Sequence, residues 1–200
     1  MITTEQVLLT WFGTTENITP EETFRKRWFK SNPEFDEDLR RKFSHTINNG
    51  YNGRINLWMT SPKTSLALLI LFDQFARNIF RGKPEAYKND EQNQRFCIDG
   101  IVEGFDLKLG PFQRAFYYMP LMHSEKLENQ KVSIQKFEAL AKASDIPEGH
   151  AGSFVSFLEY AKQHYEPIER FGRFPYRNQI LGRDSTPEEQ DFLSTKSDWP

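Results

Sequence analysis

Two hundred residues with a net charge of −2, 38% hydrophobic and 27% charged, exclude a disordered chain and a broadly basic nucleic-acid coat protein. A lone cysteine, Cys97, excludes an internal disulfide, and no Cys/His spacing suits zinc, so neither a metal nor a cofactor is expected. The length fits one domain over residues 1–200 that buries roughly 70% of its unfolded surface, with 18 Phe as the main core material.

The chain opens on Met1-Ile-Thr-Thr-Glu, without the basic and apolar regions of a secretion signal. The longest apolar run, Leu66 to Phe72, is too short to span a bilayer. A cytoplasmic protein with no membrane segment is therefore expected, and Asn17-Ile18-Thr19 is a chance glycosylation match. Helix starts recur in order. Thr19-Pro-Glu-Glu22 and Thr186-Pro-Glu-Glu189 are capping boxes with Pro at the first helical position, and Asn89-Asp-Glu-Gln92 is similar. Asn32 and Ser61 each place a capping side chain before Pro. Gly13, Gly50, Gly82, Gly104 and Gly172 mark stops.

The pattern predicts helices over roughly 4–12, 20–30, 33–49, 62–81, 90–103, 111–119, 125–143, 148–171 and 187–194. In the eighth, Phe154, Phe157, Leu158, Ala161, Tyr165 and Ile168 keep the spacing of one buried face. No run alternates long enough for a sheet. The fourth is apolar all round from Leu66 to Phe72 and should lie at the centre of the fold. Pro167 is expected to kink the eighth helix.

Three segments carry candidate chemistry. Asp73 and Arg77, four apart, share the inward face of the central helix. A carboxylate entering the interior must be paired, either in a structural ion pair or as a polar pocket wall. Arg170-Phe-Gly-Arg-Phe-Pro-Tyr-Arg-Asn-Gln-Ile-Leu-Gly-Arg183 holds Arg170, Arg173, Arg177 and Arg183 with no acid. Guanidinium groups among aromatic rings suit a carboxylate or phosphate; the alternative is that they pair with acids elsewhere. Its Phe-x-x-Arg177-Asn178 echoes Phe75-Ala-Arg77-Asn78, as two walls of one cleft would. Tyr117-Tyr-Met-Pro-Leu-Met-His-Ser-Glu125 places His123 in a linker and Glu125 at a helix start. His45, His150 and His164 read as surface or satisfied interior histidines. No phosphate loop, dinucleotide fingerprint or nucleophile elbow is present.

Taken in order, Trp11-Phe-Gly13, Trp28-Phe29 with Phe35-Asp36, Leu66 to Gly82, Tyr118 to Glu125, Arg170 to Arg183 and Ser185-Thr-Pro-Glu-Glu189 resemble the bacterial domain-of-unknown-function family 924. The resemblance runs from Trp11 to about Leu193. It implies an all-α, tetratricopeptide-repeat-like bundle of about nine antiparallel helices and no assigned activity. Its motif positions fall here on Asp73, Gln74, Arg77, Asn78, His123, Ser124, Glu125, Gln130, Arg170, Arg173, Arg177, Asn178 and Arg183. This chain has Ala76 where the family typically has Pro, and Tyr176 where it typically has His, so that turn offers no imidazole.

The leading expectation is a pocket for a small anionic ligand, a phosphate or carboxylate, for binding or for catalysis. Arg77, Arg173 and Arg177 would hold the anion, with Arg170 nearby and Asn78 or Asn178 adding a neutral hydrogen bond. Asp73 would orient an arginine, and His123 would be the general acid or base, tuned by Glu125. These groups are expected to converge on one cavity. The alternative, by analogy of fold, is an interaction module for an acidic peptide or C-terminal carboxylate. RNA binding through Arg170 to Arg183 ranks last, against the negative net charge. Oligomeric state is left open.

Overall fold

Capping chemistry sets where the helices begin. In the computed structural model, which describes residues 2–30, 32–50, 55 and 57–195, Thr3 and Gln6 bond each other's backbone amides at the start of α1 (Thr4–Phe12). Asn32 caps α3 (Pro33–Asn48) by accepting from Phe35 N (3.1 Å), and Ser61 caps α4. Helix α4 runs through Pro62–Ile70, a π-helical turn Leu71–Phe75, and a last turn Ala76–Ile79. Then come α5 (Asp90–Val102), α6 (Pro111–Met122), α7 (Leu127–Ala141), α8 (Ala151–Phe171) and α9 (Pro187–Thr195). Short 3-10 turns, among them Pro84–Tyr87 and Pro175–Arg177, lie between. The described residues contain no strand, and the fold is all-α.

Helix α4 is the axis. Every residue from Leu66 to Phe72 is buried, as an all-round apolar helix must be, and α1, α3, α5 and α6 pack around it. A second set stacks outward from α6 through α7 to α8. Rings fill the space between. Trp11 meets Phe116 edge-on at 5.3 Å and Phe75 at 5.8 Å, and Trp28 meets Phe116 at 4.6 Å. Each such pair contributes about 0.5–1.5 kcal/mol beyond area burial.

One local expectation fails. The helix predicted over 20–30 is only α2 (Glu22–Arg25), and Thr19 caps nothing. Instead the chain leaves helical geometry to bury Trp28, whose indole N–H donates to Trp11 O (3.0 Å). Helix α8 runs through Pro167 to Phe171, as its predicted span requires, and stops at Gly172, in the left-handed region with φ 70°.

Helices α5 and α6 meet at Gly100. A Cβ there would lie 1.7 Å from the Tyr117 hydroxyl, which is bonded to Ser65 Oγ at 3.0 Å. Gly100→Ala should therefore lower unfolding free energy by about 1–3 kcal/mol. Gly152→Ala, a helical position with open space, should be neutral or add up to about 1 kcal/mol. Urea unfolding of the two variants checks this; equal effects would refute the contact.

Candidate functional site

The π-helical turn of α4 falls where the helix turns from apolar to charged, and it buries both Asp73 and Gln74. Such turns insert an extra residue and often mark functional positions. Asp73 lies at the junction of three donors. Arg77 reaches Oδ1 at 2.8 Å, His123 Nδ1 lies 2.8 Å from Oδ1 and 2.9 Å from Oδ2, and Gln74 Nε2 donates to Oδ2 at 2.6 Å. Burial alone would raise the Asp73 pKa. Arg77 and His123 overcome it and hold the carboxyl well below the usual carboxylate range.

A second carboxylate completes the cluster. Asp90, the first residue of α5, accepts from Arg77 through both oxygens (3.0 and 2.8 Å) and meets Arg177 at a longer 3.5 Å. Arg177 NH2 donates to His123 O (3.1 Å). Its guanidinium lies over the rings of Phe174 at 4.3 Å and Tyr87 at 4.6 Å, and its Nε–H is buried without a partner. Arg77, His123 and Arg177 line one cavity of about 450 Å³, together with Gln74, Asn78, Tyr87, His164 and Tyr176.

Burial keeps His123 and His164 neutral. Burial pushes His123 below its ordinary value, and Arg77 and Arg177 push the same way against Asp73. The Asp73 carboxylate accepts only, so Nδ1 carries the proton and Nε2 the lone pair. Nε2 has no hydrogen-bond partner among the described residues. His164, 5.7 Å away between ring centroids, donates Nδ1–H to Tyr160 O (2.8 Å) and is pushed down to about 3 by burial and by His123.

The structure thus brings together Asp73, Arg77, Asn78, His123 and Arg177. The other expected site residues lie apart. Glu125 does not touch His123; it accepts from Phe174 N (2.8 Å) and from both terminal nitrogens of Arg183 (2.8 and 2.9 Å). Arg173 binds Glu189 (2.7 and 2.8 Å) and Asp184 O, outside the cavity. Asn178 serves Ser185 and the same Glu189 (3.0 and 3.2 Å), while Arg170 is exposed over Phe171 and Phe192. Arginines without a local acid found acids from distant segments, which pin the turn at 174–178.

Sequence reasoning missed Asp90, Tyr87 and His164. Asp90 reads as a routine helix-start acid, and only its contact with Arg77 and Arg177 distinguishes it. His164 does share the buried face of α8 with Phe157 and Ala161, a signal that was available. Among the described residues no three His, Cys, Asp or Glu side chains gather as metal ligands would, and no helix is long and apolar enough to cross a membrane.

Fold and site together define an all-α helical protein with a charged cavity built where its central helix emerges from the core. The chain belongs to the family described as bacterial protein of unknown function, domain-of-unknown-function family 924, which it matches over residues 7–197. It is similar to a solved protein of unknown function from Agrobacterium tumefaciens, 28% identical, with a TM-score of 0.80 over 96% of this chain and 97% of that one. No curated protein matches it.

The depressed pKa values fix the sign of acid sensitivity. A histidine or carboxyl whose folded pKa lies below its unfolded value binds more protons unfolded. Stability is then full above the unfolded pKa and falls with pH toward the folded one. Stability should fall below about pH 6.5, with His164 contributing about 1.4 kcal/mol per pH unit and His123 adding in the same direction. His164→Asn should flatten that limb, and Asp73→Asn should flatten the limb below about pH 4 while depressing His123 further, at a cost of about 3 kcal/mol near neutrality. Urea titrations across pH measure both; an unchanged slope in His164→Asn would contradict the assignment.

Proposed function

We propose that this cavity binds a small anion, a phosphate or carboxylate, between Arg77 and Arg177, and that His123 Nε2 accepts a proton from the ligand or from a water beside it. The observation that carries the reading is the unpartnered Nε2 sharing a cavity with two guanidinium groups, its ring locked by Asp73. A carboxylate holding Nδ1–H fixes the tautomer and stabilises the imidazolium that forms. Arg77 and Arg177 are balanced by Asp73 and Asp90. Lys30, the residue after Phe29, also lines the cavity and has no acidic partner among the described residues. The volume suits a small molecule, which favours this reading over an extended acidic peptide.

Thermal shift against phosphate monoesters and organic acids, followed by calorimetry on any hit, is the deciding experiment. Arg177→Lys keeps the charge and loses the fork, and should weaken binding about tenfold or more. His123→Gln should leave binding within about threefold and abolish turnover. Where turnover is found, its rate should hold steady through the pH at which an ordinary histidine protonates and decline only at lower pH, as His123 protonates. The proposal would be falsified if no anion shifted the melting temperature and Arg177→Lys matched the parent throughout.

A further inference from the structure

Resting on the anion-pocket reading, the cavity's second end names the ligand class. At one end Arg77, His123 and Arg177 are tied to one another through Asp73 and Asp90. At the other stands a group of rings. Phe29 lies 5.8 Å from Phe157 and 6.3 Å from Tyr160, centroid to centroid, and Trp28 is 6.3 Å from Phe29. Phe29 and Tyr160 are 57% and 42% exposed, so apolar surface is left open where the cavity needs an occupant.

Helix α8 measures the distance between the two ends. Phe157, Tyr160 and His164 all line the cavity and follow one another at helical spacing. At 1.5 Å per residue, Phe157 and His164 are separated by about 10 Å along the axis. Beyond the rings, a second cavity of about 330 Å³ shares Trp28, Phe29, Phe157 and Tyr160, but its far side is polar, with Glu22, Arg25 and Lys26. The apolar stretch is therefore bounded: basic at its head, about 10 Å of ring surface, then charge again.

We propose that the ligand is an amphiphilic acid, a carboxylate or phosphate monoester with an unbranched apolar tail about 10 Å long. The head sits against Arg77, Arg177 and His123, and the tail lies along α8 over Tyr160 and Phe157 beneath Phe29. Each buried methylene contributes about 0.8 kcal/mol, or roughly fourfold in affinity.

Calorimetry with the n-alkyl carboxylates from acetate to decanoate, below their micelle thresholds, tests this. Affinity should climb by roughly fourfold per methylene from butyrate to octanoate and level off at decanoate, where the tail meets the charged far side. Octanol should bind at least tenfold more weakly than octanoate. Phe29→Ala should remove most of the chain-length gain and leave butyrate unchanged. Tyr160→Ala, also at an exposed position, should do the same and covers a folding failure of the first variant. Acetate or inorganic phosphate binding as tightly as octanoate would overturn the tail and leave the anion pocket standing. No binding by any acid removes both. Octanol equal to octanoate overturns the amphiphile. Binding to phosphatidylcholine vesicles containing phosphatidic acid, with none to monomeric acids, would place the anion in a membrane and overturn it too.

Discussion

A carboxylate carried into an apolar interior costs several kcal/mol unless it is neutralised and fully hydrogen-bonded, and Asp73 is such a group. Much of the arrangement around it follows from that requirement. Arg77, one turn on, supplies the charge; Gln74 and His123 supply the remaining hydrogen bonds. The arginine in turn needs more than half a carboxylate, and Asp90 at the head of α5 provides it. Asp90 then has an oxygen to share with Arg177. One buried charge thereby links α4, the end of α6, the start of α5 and the turn at 175–177.

Neutralisation uses up some groups and leaves others. Asp73 takes the Nδ1 proton of His123, and in doing so fixes the lone pair on Nε2, which faces an open volume. The same network borders a cavity of about 450 Å³, lined by Arg77, His123 and Arg177.

The turn carrying Arg177 is held from outside. Glu125 binds Phe174 N and Arg183, and Glu189 binds Arg173 and Asn178 while its carboxylate also accepts from Thr186 N. Arg173 and its neighbours pull the Glu189 carboxyl down to about 2. Three arginines within eleven residues thus do two kinds of work: Arg173 and Arg183 anchor the backbone, and the anchored backbone aims Arg177 inward between Phe174 and Tyr87.

Fold class, most helix boundaries and the central position of Leu66 to Phe72 were legible in the sequence, because caps, glycine stops and apolar periodicity act within a few residues. The Thr186 to Glu189 capping box forms as its spacing requires. So does the inward face shared by Asp73 and Arg77. The short second helix shows the limit: Thr19-Pro-Glu-Glu22 is as good a start signal, yet burial of Trp28 beside Trp11 outweighs it. Ion-pair partners were not legible, since charge carries no address. Four arginines and the acids Asp90, Glu125 and Glu189 permit many pairings, and only packing decides among them. Packing gave Glu125 to Arg183, 58 residues away, and left His123 to Asp73, 50 residues away. Local physics therefore determined the elements and named the residues of the site; long-range packing decided which of them meet, because Coulomb attraction selects by distance and distance exists only in the folded chain.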